Sequence, residues 1–155
     1  MRHELRTEIE IDAPPEAVWD VLTDLEHYAD WNPFIVSVEG RAVVGERLTN
    51  RMQPPGGKAV TFKPTVTVVE DESVFEWLGR LLIPGVFDGR HRFELHPTSN
   101  GTRVVHGENF SGILVRVLRK SLDTKTVQGF ALMDAALKGR AEARVANNCL
   151  SPVVN

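Results

Sequence analysis

The 155-residue chain carries 18 lysines and arginines against 21 aspartates and glutamates, a formal charge of -3. With no basic run interleaved with aromatics, that balance argues against a nucleic-acid partner. A 42% hydrophobic composition with no apolar run of membrane-spanning length describes one ordinary globular domain over residues 1–155, without stable membrane insertion. The single cysteine, Cys149, excludes an internal disulfide and fits a reducing compartment. The expectation is a soluble cytoplasmic protein, monomer or homodimer.

The first residues are charged and alternating and do not read as a signal peptide. Leu5, Thr7, Ile9 and Ile11 alternate with Glu4, Arg6, Glu8 and Glu10, the pattern of a strand with one wet face. Pro14 and Pro15 suit the first turn of a helix whose apolar side is Val18, Trp19, Val21 and Leu22. A second short helix begins at 24–28 and stops at Asn32, which Pro33 biases away from helix. Six further strands are expected at 35–39, 46–52, 60–69, 74–79, 88–96 and 102–110. Asn100-Gly101 marks the last hairpin, and short turns throughout imply antiparallel neighbours. Two apolar stretches interrupt the pattern: residues 81–87, expected to form a lid or portal, and 112–118, an apolar lead-in to the last helix.

The region 123–148 is where a long helix fits. Val127, Phe130, Ala131, Asp134, Leu137, Ala141 and Val145 recur at three- and four-residue steps on one stripe. A sheet with one apolar face needs a cover, and this helix is long enough to supply it. Gly129 and Gly139 cost about 1 kcal/mol each inside a helix, so either something approaches the backbone there or the helix bends. Asp134 either marks a wet stripe edge or shows that the stripe faces a cavity.

Ile-Asp-Ala-Pro-Pro-Glu-Ala-Val-Trp (11–19), Trp-Asn-Pro-Phe (31–34), Phe-Glu-Trp-Leu-Gly (75–79), Pro-Gly-Val-Phe-Asp-Gly-Arg-His (84–91), His-Gly-Glu-Asn-Phe-Ser-Gly (106–112) and Gly-Phe-Ala-Leu-Met-Asp-Ala-Ala-Leu-Lys (129–138) together resemble the SRPBCC superfamily. These are the START-related helix-grip proteins, and the resemblance is to the polyketide cyclase/dehydrase-like branch. It implies an α+β domain in which a bent seven-stranded antiparallel sheet wraps a long C-terminal helix, with two short helices after the first strand. It also implies a ligand cavity between sheet and helix. The branch looks more like asparagine at the position of Asp134, so the carboxylate is a departure.

Pairing Leu95 with Val104 across the last hairpin sets Phe93 opposite His106 and His91 opposite Glu108, all on one face. The opposite face then carries Arg90, Arg92, Glu94, His96, Arg103 and Val105, the wetter set. Buried among aromatics, His91, His106 and Glu108 must bond each other, water or a ligand. They read as a cross-strand pair fixing register, as the polar lining of a cavity, or as acid–base groups with Asp134. A metal set of His91, His106 and Glu108 is chemically open, but nothing in the spacing demands one, and neither metal nor cofactor is expected.

The leading expectation is non-covalent binding of a small, largely apolar molecule. Phe62, Phe75, Trp77, Phe93, Phe110, Phe130 and Leu137 would line the cavity; His91, His106, Glu108 and Asp134 would orient the ligand. The alternatives are a cyclase- or dehydratase-type enzyme with Glu108, His106 and Asp134 as catalytic candidates, and an interaction module of the co-chaperone kind. Trp19 is expected in the core and Trp31 as a packing anchor. Cys149 has no neighbouring base and is not expected to be a nucleophile.

Overall fold

The alternating first segment forms β1 (Arg2–Ile11), whose inward residues Leu5 and Ile11 are buried. In this computed structural model, which describes residues 1–81 and 83–150, α1 (Pro15–Thr23) follows with Pro15 at its start. A single 3-10 turn at Leu25–His27 leads into α2 (Tyr28–Trp31), which ends at Asn32 as expected from sequence. Then come β2 (Ile35–Glu39), β3 (Thr49–Met52), β4 (Val60–Phe62), β5 (Thr65–Glu70), β6 (Val74–Leu81), β7 (Phe87–Pro97) and β8 (Thr102–Ser111).

Among the described residues the strand count is eight rather than seven. The expected strand 60–69 is broken at Lys63-Pro64, because proline has no N–H to continue a ladder. The single sheet expected is two sheets, a five-stranded one in the order β1-β8-β7-β6-β5 and a three-stranded one in the order β2-β3-β4. They are stitched together at the corner: Leu48 N–H donates to the Pro64 carbonyl at 2.8 Å and Val66 N–H to the Glu46 carbonyl at 2.9 Å. The sheet therefore bends where Pro64 interrupts it.

The C-terminal helix starts earlier than the sequence pattern suggests. The apolar lead-in is itself helical, as α3 (Val115–Ser121), and a π-helical turn at Leu122–Thr126 joins it to α4 (Val127–Leu150). At 24 residues α4 runs about 36 Å and crosses the concave side of the sheets. Its buried stripe is Phe130, Met133, Asp134, Leu137 and Ala141; Ala131 is exposed, and Met133 takes the place expected for it. At Gly129 the backbone is approached by Phe34, whose ring occupies the space a Cβ would need. At Gly139 nothing lies within 4 Å of that position.

The hairpin register is the one expected, with Leu95 opposite Val104, Phe93 opposite His106 and His91 opposite Glu108. The outer face is less wet than expected at two places. Val105 is buried, and Glu76 lies beneath Arg90 and Arg92. Burial pushes the Glu76 carboxyl up, but bonds from Thr67, Arg90 and Arg92 outweigh that and hold it below its usual range. Among the described residues no helix is long and apolar enough to cross a membrane.

Candidate functional site

The concave side is packed solid at its centre. Trp77 lies flat on His91, with ring centroids 4.6 Å apart and planes within 4°. His106 is held between Phe93 at 4.4 Å and Phe130 at 3.9 Å. With their planes fixed by these stacks, the two imidazoles can bond only at their edges, and both edges of each are used.

Four side chains and a hydroxyl form one hydrogen-bonded line. Thr7 Oγ1 donates to Asp134 Oδ2 at 2.6 Å, and His106 Nδ1 stands 2.6 Å from Asp134 Oδ1. His106 Nε2 lies 2.8 Å from His91 Nε2, and His91 Nδ1 lies 3.2 Å from Glu108 Oε2. Backbone periodicity explains the assembly: β8 presents His106 and Glu108 two residues apart on one face, β7 presents His91 opposite Glu108, and α4 presents Asp134 from above.

The line can be counted in hydrogens. Both oxygens of Asp134 accept, one from the Thr7 hydroxyl and one from His106 Nδ1–H. Burial pushes the His106 imidazole below its ordinary 6.5, against the pull of Asp134, so the ring is neutral and its Nε2 is an acceptor. His91 must then donate from Nε2. Its contact with Glu108 needs one hydrogen more than a neutral imidazole and a carboxylate supply, and that hydrogen belongs to the His91–Glu108 pair. The pair is thereby neutral as a unit, and the one net negative charge lies at Asp134.

Glu108 is also where this line meets open space. A cleft of about 150 Å³ lies at one end of the grip, walled by Phe34, Phe62, Phe87, Phe110 and Leu122, with His91, Glu108, Arg80 and Thr126 as polar groups in an otherwise largely apolar lining. Gly89 forms part of the wall; a Cβ there would collide with Glu108 Oε1, so the glycine makes room for the carboxyl. The volume is of the order that holds one benzene-sized ring, so a two-ring molecule would seat one ring inside and leave the other at the open mouth, between the exposed Val60 and Leu81.

The sequence pattern of the polyketide cyclase / dehydrase and lipid transport family matches residues 2–146. The chain belongs to this family. Solved structures agree in fold. Zhui aromatase/cyclase from Streptomyces sp. R1128 superposes with a TM-score of 0.78 at 19% identity, over 94% of this chain and 96% of that one. A Thalictrum flavum norcoclaurine synthase mutant, in complex with a transition-state analogue, gives 0.73 at 15% identity over 94% and 97%. The chain covers about half (51%) of the di-domain aromatase/cyclase BexL of the BE-7585A biosynthetic pathway, with 92% of its own length, a TM-score of 0.75 and 18% identity. At these identities the likeness is one of fold. A search of curated proteins finds no match to the sequence.

Within this family fold the residues singled out from sequence separate into three groups. Phe62, His91, Glu108 and Phe110 stand on the cleft wall. His106 and Asp134 stand behind it, joined to Glu108 through His91. Phe75, Trp77, Phe93, Phe130 and Leu137 are fully enclosed and pack the centre, so they shape the wall from behind rather than forming it. Trp19 is in the core, and Trp31 packs on Tyr28 at 5.1 Å, away from the cleft. His91, His106 and Glu108 do not converge on a common point, since Glu108 bonds the Nδ1 of His91 while His106 faces its Nε2.

Alternation placed Thr7 on one face of β1 with Leu5 and Ile9 but gave it no site role, and sequence reading missed Phe34, Arg80, Leu122 and Thr126. Leu122 and Thr126 lie on the π-helical turn, for which no periodic signal exists. Leu81 and Phe87, the ends of the expected lid, do line the cleft. Between them, Ile83 is exposed, and the carbonyls of Gly85 and Val86 accept from Ile113 and Leu114 N–H. Leu82 lies outside the described residues.

Proposed function

We propose that the protein binds a small, largely apolar molecule carrying one hydrogen-bond donor, its apolar part in the cleft and its donor on Glu108. What carries this reading is the polar pair Glu108–His91, set in a largely apolar wall whose other polar members are Arg80 and Thr126, and already committed to a partner behind it. Oε2 is engaged by His91, which leaves Oε1 to accept from a ligand hydroxyl or amine. A carboxylate ligand seated with its charge on that acceptor would meet Glu108, with Asp134 further in, and is disfavoured there; Arg80, also on the wall, is half exposed and faces Asp88 at 4.0 Å. The probe is 1-naphthol, compared with naphthalene and 1-naphthoate by calorimetry. One charge-assisted hydrogen bond is worth about 1.5–3 kcal/mol, so naphthol should bind at least tenfold more tightly than either. Equal binding of naphthol and naphthalene, unchanged in Glu108→Gln, refutes the anchor.

The hydrogen-bonded line favours a second reading, acid–base catalysis on a ketone. Glu108 would take a proton from the carbon beside the carbonyl, leaving an enolate, and a proton from the His91–Glu108 pair would return to it. Positioned proton transfer of this kind contributes typically about 10²–10⁴-fold. Acetophenone carrying a methyl group beside its carbonyl serves as the probe: in deuterated water the enzyme should exchange those methyl hydrogens, and Glu108→Gln should not. Exchange no faster than in buffer leaves binding alone.

A further inference from the structure

At the cleft end of the molecule the surface is apolar and basic together. Ile83, Ile113, Val117 and Leu118 are exposed there, Ile113 at 74% and Val117 at 77%. Hydrogen bonds from Ile113 and Leu114 N–H to the Gly85 and Val86 carbonyls hold the loop of Ile83 against the start of α3. Leu81 and Val60, exposed at the rim of the cleft, extend the apolar ground to its mouth. Residues 113–125 also hold Arg116, Arg119, Lys120 and Lys125 against one acid, Asp123, a local charge of +3 in a chain of -3. Asp123 is engaged by His3 at 2.6 Å and approached by Arg119 at 3.6 Å. Lys125 reaches the Gly56 carbonyl at 3.4 Å, tying the β3–β4 turn to this surface.

We propose that this rim docks the cleft mouth onto an anionic lipid surface. A second copy of the chain fits poorly, because a two-fold contact would set these cations against themselves. A protein partner would be expected to meet aromatic anchors and recesses, whereas the exposed side chains here are aliphatic and branched. Aliphatic groups among lysines and arginines are what an interfacial segment presents to headgroups and acyl chains. The inference stands apart from the ligand assignment, since lipid docking is measured without any ligand in the cleft.

The test is sedimentation with vesicles of phosphatidylcholine alone and with about one third phosphatidylglycerol, at low and at physiological salt. The parent should bind the anionic vesicles, bind phosphatidylcholine at least tenfold less, and weaken as salt rises. Each surface cation is worth about fivefold in partition, so Arg116→Glu with Lys120→Glu should lower it by at least 30-fold. Ile113→Asp with Val117→Asp should lower it as well. Both pairs lie on exposed positions, and circular dichroism checks that the variants are folded. No binding to anionic vesicles, or partition unchanged in both variants, overturns the proposal. So does a dimer that Val117→Asp dissociates, or saturable capture of an acidic protein with no lipid binding. Naphthol affinity should be unaltered in the charge variant, so loss of docking and loss of the ligand site are read separately.

Discussion

Asp134 is the group on which the internal line depends, and two substitutions separate its charge from its hydrogen bonds. Asp134→Ala leaves the Thr7 hydroxyl and His106 Nδ1–H without acceptors inside a packed core. Each orphaned group costs about 1–3 kcal/mol, so the pair predicts a loss of about 2–6 kcal/mol. Asp134→Asn is milder. Its carbonyl can still accept from His106, and its amide can donate to Thr7 once the hydroxyl turns to accept. The bonds become neutral ones, each weaker by roughly 1 kcal/mol, while the cost of burying a carboxylate disappears. The two terms oppose, so the asparagine variant should lie within about 1 kcal/mol of the parent. Urea unfolding at neutral pH measures both. If alanine and asparagine variants agree within about 0.5 kcal/mol, the hydrogen bonds to Asp134 carry no weight in the folded protein and the line is incidental.

Four other outcomes are expected on the same physical grounds. Trp19→Ala should cost about 3–5 kcal/mol in denaturant melting without altering naphthol affinity, because Trp19 is core and not wall. Gly129→Ala should destabilise by about 1–3 kcal/mol through collision with Phe34, whereas Gly139→Ala, with open space around it, should stabilise by about 1 kcal/mol; matching shifts would refute the packing assignment. The His106 pKa is lowered on folding, so the stability linked to its neutral ring is present above the ordinary 6.5 and is lost as pH falls below that value. The urea midpoint should therefore fall with acidification below 6.5, and less steeply in His106→Phe, or that linkage is wrong. Amide exchange at Ile113 and Leu114, which hold the Gly85 and Val86 carbonyls, should slow when naphthol occupies the cleft; exchange indifferent to the probe removes any lid role for the loop.

Most of the architecture was legible because it rests on period and punctuation. Alternation placed β1 and the last hairpin, Asn100-Gly101 fixed its register, and that register correctly put His91 opposite Glu108. Pro64 was in plain view, yet a run of β-branched residues on either side of it hid the break. Two features were beyond one-dimensional reading. The start of the C-terminal helix at Val115 was masked because α3 exposes Val117 and Leu118, so its pattern is not that of a half-buried helix. The cleft's position was hidden because alternation says which side chains point inward, not how far they reach. Trp77, Phe93 and Phe130 fill the centre of the grip by stacking on the two histidines, and the cleft lies at the end.

That filled centre gives Asp134 its influence over the cleft. The carboxylate accepts from Nδ1 of His106 and so fixes the tautomer, leaving Nε2 as a lone pair. A lone pair there obliges His91 to donate from Nε2, and the remaining hydrogen is pushed to the Glu108 side of His91. The polar character of the wall is thus set three hydrogen bonds away by a residue that is not part of the cleft lining. An asparagine at 134 would still accept from His106 and preserve this order, but without the charge that favours it. The carboxylate is therefore a tuning group: it strengthens one arrangement of hydrogens without creating it. Direct observation of the histidine nitrogens by NMR decides the matter, since His106 should be neutral with hydrogen on Nδ1 in the parent and should keep that tautomer in Asp134→Asn. Hydrogen on Nε2 of His106 in the parent would reverse the whole line and place the extra hydrogen at Asp134 instead of at the cleft.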